Sequence, residues 1–417
     1  MMARPSGRPG GRGPVAGGAR TGVESVRGSG TGAPWRQHLT AARQRADLGR
    51  FGESLAYWAV VGFAFAVSLV HAQRTTLMAA QDSMHYYARA LLYAGTSRDE
   101  AFALVTDKSY SLGWNQGLTP EILFDWDLVR PRVVYPALAT PFVKAFGWSG
   151  MTLTSIALAV VLYALMAWVL RRRFGTVPAL AALAVVFGCQ AWFFYAVAPL
   201  TEGLSALTLA GMVGAAWLYR RARHRRRWLY LVAAGVLAVV FAFTRQAQLI
   251  AAGAFSVVWV GEWIRSRRAR NSWLAPSATV VGVSAATQVY QLLVYPFDQL
   301  AHMQSKVGGE SFWETLAAAP YHLYTATKFD FRLAVEDDPG MAFAMFVLLG
   351  AMIYCWRRPE IHLACGAVLA GMIYQGVNGS IRLEFRYLEP GLFLYALAGA
   401  AFMAALARRR MTRHQTW

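Results

Sequence analysis

Long uncharged apolar runs alternate with short arginine clusters along most of this chain, and that pattern constrains it more than any motif. Residues 145–170 carry no charge and end at Arg171-Arg172-Arg173, and residues 174–219 carry a single one, Glu202. A helix crosses a bilayer with about 20 mostly apolar residues, and it suits that solvent because its backbone groups are satisfied within the segment. By this measure the spans are 54–73, 145–170, two in 174–219, two in 228–263, 271–297, 339–356, 361–381 and 390–407, ten in all. Residues 133–146 are apolar but short and hold Pro136, Pro141 and Lys144, which suits an interfacial or re-entrant helix leading into the second span.

Charge placement supports the count. The chain has 41 Lys and Arg against 22 Asp and Glu, a net +19, yet only 15% of it is charged and 56% is hydrophobic. A soluble nucleic-acid binder this basic would carry nearer a quarter charged residues. The composition therefore excludes a nucleic-acid partner, a soluble enzyme, a disulfide scaffold and a wholly disordered chain. With ten spans and a cytoplasmic N-terminus, segments 1–53, 171–173, 220–227, 262–270, 357–360 and 408–417 lie inside. They hold 28 Arg, no Lys and five acids, a net +23 that leaves −4 for the rest of the chain. Every inner loop obeys the positive-inside rule, and an eleventh span at 133–146 would break the pattern.

The expected organisation is an all-α polytopic transmembrane bundle over 51–408 with helical outer loops at about 74–147 and 298–338. Before it lies a disordered Arg/Gly-rich cytoplasmic tail, 1–50, and after it a basic cytoplasmic tail, 409–417. No apolar stretch precedes residue 54, so the first span reads as a retained anchor, not a cleaved signal peptide. The arginine-rich tail either touches anionic lipid or simply sets orientation. Cys189, Cys355 and Cys365 all lie in apolar spans without metal or disulfide spacing and read as small core residues. No phosphate loop, HExxH, nucleophile elbow or nucleotide-binding domain is visible, which speaks against an ATP-driven pump within this chain.

Chemistry could then sit on the few charges at the outer edge, where an ionisable group seeks a partner or a cavity. Asp82, in Gln-Asp-Ser-Met-His-Tyr-Tyr, shares a helix face with Tyr86 and lies beside His85. Its carboxylate is either a general base or metal ligand, or an N-cap for a helix over 83–93. In 125–136, Arg130 and Arg132 could fork around a phosphate, or Asp127 and Arg130 could pair with each other. Glu202 is a functional acid or a helix-start acid capped by Thr201. Arg245 occupies a tight turn between two spans and wants an anion: Glu202, Asp82 or a lipid phosphate. Arg382 and Arg386 suit a phosphate headgroup, or pair with Glu384 and Glu389. In the second outer loop, aromatics such as Trp313, Tyr321 and Tyr324 stack on a sugar or form an interface belt.

The order of these features resembles the GT-C superfold of integral membrane glycosyltransferases, mannosyl- and arabinosyltransferase-like enzymes that use polyprenyl-phosphate sugars. The resemblance rests on Gln-Asp-Ser-Met-His-Tyr-Tyr at 81–87, Arg-Pro-Arg-Val-Val-Tyr-Pro at 130–136, Pro-Leu-Thr-Glu at 199–202, Arg-Gln at 245–246 and Phe-Arg-Tyr-Leu-Glu-Pro at 385–390. It implies a GT-C-like bundle from about 50 to 407 that moves a sugar from a polyprenyl-phosphate donor to a glycan, lipid or protein acceptor outside the cytoplasm. Asp82 would be the catalytic base and Glu202, or Asp127, a second carboxylate. Arg245 and Arg386 would contact the donor phosphate, with Arg130 and Arg132 as further candidates and His85 and Tyr86 as substrate contacts. A divalent cation, Mg2+ or Mn2+, stays open, with Asp82 as its candidate ligand. The expected location is the plasma membrane of a bacterium, among membrane lipids, with both termini inside and the site facing the cell envelope. A transporter or lipid flippase, or a non-catalytic GT-C-like protein, are the alternatives. The clustering of charge at one surface instead of the midplane argues against transport.

Overall fold

The computed structural model describes residues 34–76, 79–114, 117–295, 298–378 and 385–414. Among them every regular element is helical and no strand occurs. The expected disorder of residues 1–33 lies outside the described residues. Residues 1–56 and 57–417 form separate units.

The first helix, α1 (Pro34–Thr75), begins well before residue 50, where the tail was expected to end. Glycine thins out after residue 33, and Ala, Arg, Gln and Leu, strong helix formers, take over behind a proline at the first helical position. The segment expected to form the first outer loop folds into α2 (Gln81–Tyr93), α3 (Arg98–Ser111), α4 (Pro120–Asp125) and α5 (Val134–Phe146). Ser97 and Thr119 cap α3 and α4, accepting from the Glu100 and Ile122 amides. Then come α6 (Trp148–Phe174), α7 (Thr176–Gly188), α8 (Gln190–Val197), α9 (Glu202–Arg221), α10 (His224–Thr244), α11 (Gln248–Ser266) and α12 (Leu274–Val294). The segment expected to form the second outer loop holds α13 (Gln299–Val307) and α14 (Phe312–Glu336). The chain closes with α15 (Pro339–Tyr354), α16 (Pro359–Asn378), a 3-10 turn (Arg386–Gly391) and α17 (Leu392–His414).

Among the described residues each of the ten apolar segments is largely helical, but they are not equal. Five stretches are long and apolar enough to cross a membrane: Phe51–Thr75, Trp148–Phe174, Arg225–Thr244, Leu274–Val294 and Arg386–Arg409. Two bent pairs, α7 with α8 at 81° and α14 with α15 at 119°, raise the number to seven if each is one span. Helices α9, α11 and α16 are not among these stretches, and Glu202, Glu262 and Glu360 lie within them. The break at Cys189 is a correction to the sequence reading, which runs one helix through it. Asp338 makes the break: one carboxylate oxygen accepts from the Ala191 amide at 2.8 Å and the other caps α15 at the Met341 amide, 3.0 Å. The expected break between α10 and α11 does occur, at Arg245.

Two hydrophobic cores result. The larger fills the bundle, where α11 meets α16 through Gly253 and Gly366 with no room for side chains between the backbones. The smaller joins α2 to α5 and reaches Ala198, Leu200 and Leu204 at the start of α9. A Cβ on Gly203 would stand 2.6 Å from the Ala196 carbonyl oxygen, so glycine there lets α9 start against the end of α8. Gly203→Ala is expected to destabilise the detergent-purified chain by about 1–3 kcal/mol through forced displacement. An unchanged unfolding temperature would show that the contact yields freely.

Candidate functional site

Where the two cores meet, side chains from five distant parts of the sequence form one ion cluster. Glu202, the first residue of α9, is fully buried. It pairs with Arg245 from the α10–α11 turn and with Nε of Arg386. The other arm of Arg386, Nη2, donates to Asp82 Oδ2 at 2.9 Å. Arg132 Nη1 lies 3.8 Å from the same oxygen and donates to the Tyr86 hydroxyl at 2.8 Å. Asp82 and Glu202 therefore share one guanidinium, the two-pronged geometry for which arginine is suited. Arg245 lies over the Tyr387 ring and Arg386 over the Tyr195 ring, each 5.4 Å from its centroid.

Local structure places each group. Helix α2 starts one residue before Asp82, and it is Ser83 that reaches back to the Ala80 amide, so Asp82 is free of capping. Thr201 likewise makes no side-chain cap for α9; its hydroxyl donates to Glu202 at 3.3 Å. The N-cap reading of Asp82 is thus overturned, whereas Glu202 is indeed the acid at the start of α9, with Thr201 at the N-cap position but without a side-chain cap. Gln248 donates to Gln291, which in turn donates to the Ala242 carbonyl at 2.9 Å, fastening the turn that carries Arg245. Tyr135 holds the end of this region through Ser155 and the Met151 carbonyl.

Other candidates separate. Arg130 and Arg132 do not form a fork: Arg132 is buried in the cluster, whereas Arg130 pairs with Asp127 at 3.6 Å in a more exposed place. Asp127 is thereby engaged elsewhere and is not the second carboxylate beside Asp82. His85 donates from Nδ1 to the Leu123 carbonyl at 3.1 Å and packs on Trp126. Burial pulls its imidazole below the usual range, so it stays neutral near pH 7. Arg382 and Glu384 lie outside the described residues. Glu389 does not pair with Arg386; it is fully buried, and neither carboxylate oxygen has a hydrogen-bond partner among the described residues. Sequence reasoning cast Glu389 only as a salt-bridge partner and did not single out Tyr195 or Tyr387, since a tyrosine in an apolar run looks like any core aromatic.

Burial works to raise the Asp82 carboxyl, but the Arg386, Arg132 and Arg245 charges outweigh it and hold it at about 2, against an ordinary 3.8. A carboxyl depressed on folding adds stability above its unfolded value and loses it as pH falls through the folded one. The stability difference between the wild-type chain and Asp82→Asn should therefore shrink from pH 3.8 down to about 2. Denaturant titration across that range measures it, and a constant difference would mean that Asp82 is not charge-paired.

An open cleft of about 490 Å3 adjoins Asp82, lined also by Gln81, His85, Glu121 and Trp126. A second groove, about 540 Å3, passes His71, Phe194 and Tyr195, the ring beneath Arg386. The residues present do not fit a divalent cation. Asp82 and Glu202 are answered by three guanidinium groups, and among the described residues no three His, Cys, Asp or Glu gather as ligands. Comparison with protein families, curated proteins and solved structures finds no match to this chain.

Proposed function

We propose that this chain is an integral membrane glycosyltransferase that moves a sugar from a polyprenyl-phosphate donor to an extracytoplasmic glycan, lipid or protein acceptor. In this reading it crosses a bacterial plasma membrane ten times in a GT-C-like layout, with both termini inside. The observation that carries the proposal is the bridging of Asp82 and Glu202 by Arg386, with Arg132 and Arg245 beside them. Three arginines against two paired carboxylates leave positive charge for an anion, and a donor phosphate is such an anion. The cleft at Asp82 suits an acceptor, and the groove past Tyr195 suits the donor's chain.

The chemistry follows from competition for the guanidinium groups. When the donor phosphate draws Arg386 and Arg132, Asp82 loses the charges that hold it near 2 and regains ordinary basicity. It then accepts the acceptor hydroxyl's proton as that oxygen bonds to the anomeric carbon. The bond from that carbon to the phosphate oxygen breaks, and the arginines stabilise the charge left on the polyprenyl phosphate. Glu202 keeps Arg245 and Arg386 aimed. Intact-lipid mass analysis of a deletion strain tests the proposal. The expected result is an accumulated polyprenyl-phosphate sugar or a missing glycan, and an unchanged lipid and glycan profile would overturn it.

One observation favours a non-catalytic protein instead: both carboxylates are already closed by guanidinium partners, as in a structural clamp. A clamp would leave the deletion strain's glycans intact.

A further inference from the structure

Arg386 reaches two carboxylates at once, so the backbone that delivers it must be held in place. The residue before it, Phe385, is 2% exposed and sits in the left-handed region at φ 56°, ψ 29°. A bulky side chain adopts that conformation only when its surroundings impose it. The neighbouring contacts supply the imposition. Asp330, fully buried on α14, accepts from the Phe385 amide through Oδ2 at 3.3 Å, and the same oxygen accepts from Gln375 on α16. Beyond Phe385 the chain tightens at once, Leu388 donating to the Phe385 carbonyl at 2.8 Å, and Arg386 opens the 3-10 turn.

We infer that Asp330 is the positioning residue for Arg386: by binding the Phe385 amide it holds the left-handed turn that delivers the guanidinium to Asp82 and Glu202. The segment 298–338, through α14, then sets the geometry of the ion cluster. A ligand or partner that shifts α14 moves Arg386 without touching it. This coupling concerns the cluster itself and holds whether the cluster transfers sugar or serves as a clamp.

Arginine-selective labelling of the full chain in detergent with phenylglyoxal, quantified by peptide mass spectrometry, tests it without any activity. Arg386 is shielded between its carboxylates, and Arg89, buried on α2 and bonded to the Val129 carbonyl, reports global integrity. Asp330→Leu removes the acceptor and should raise Arg386 labelling about tenfold, the factor a hydrogen bond to a charged group commonly controls, with Arg89 still protected. Asp330→Asn keeps an oxygen for the Phe385 amide and should restore wild-type protection. Arg386 remaining protected in Asp330→Leu overturns the inference, as does equal exposure in Asp330→Leu and Asp330→Asn. Should leucine expose Arg89 too, Asp330→Ala, which removes the acceptor without bulk, is read by the same criteria.

Discussion

Asp82→Asn is expected to lower sugar transfer from a polyprenyl-phosphate donor in membranes by about 10²–10⁴-fold, the usual contribution of a positioned general base. Asparagine keeps the size of the side chain and can still accept from Arg386, but it cannot take a proton. Asp82 is only part-buried at the edge of the cleft, its side chain 24% exposed, so the protein should stay folded. Loss of transfer with a preserved cooperative unfolding transition therefore reports chemistry, not collapse. Full activity in Asp82→Asn would remove the base from the proposal and return the cluster to a structural role.

Glu202→Gln should act mainly on stability. Glu202 has no exposed surface and neutralises both Arg245 and Arg386, and Arg245 is itself 3% exposed. Removing one partner of a buried ion pair leaves an uncompensated charge and typically costs about 3–5 kcal/mol. Unfolding of the purified chain in detergent measures this. Adding Arg245→Met should recover part of the loss, because the second change removes the stranded charge while Arg386 keeps Asp82. If the two changes add without recovery, Arg245 and Glu202 are not coupled as their contact implies. The contrast between the two sites is informative: one carboxylate sits at a cleft and the other inside the protein.

The helical layout was largely legible. Runs of apolar residues bounded by arginine marked ten helical segments, and the turn at Arg245 followed from a lone charge in an otherwise unbroken run. Asp82, Glu202, Arg245 and Arg386 were legible as candidates because a charge beside apolar segments is costly unless answered. Their partners were less so. Arg130 and Arg132 look equivalent in sequence, yet a few residues of non-helical chain turn one into the cluster and the other towards Asp127. Asp330 stood out no more than the other charges of 298–338, and its role appears only when α14 packs beside the Phe385 amide.

By itself, then, the sequence determined that this chain is helical, that several of its helices can cross a membrane, and that its positive charge is gathered in a few short segments. Those properties follow from hydropathy and charge summed over neighbouring residues, and neighbours are what a sequence displays. Tertiary structure alone decided that Asp338 breaks the helix at Cys189 and that Arg386 joins Asp82 to Glu202. Each of these depends on atoms brought within about 3 Å from segments far apart in the chain, a distance set by helix packing and not by local preference.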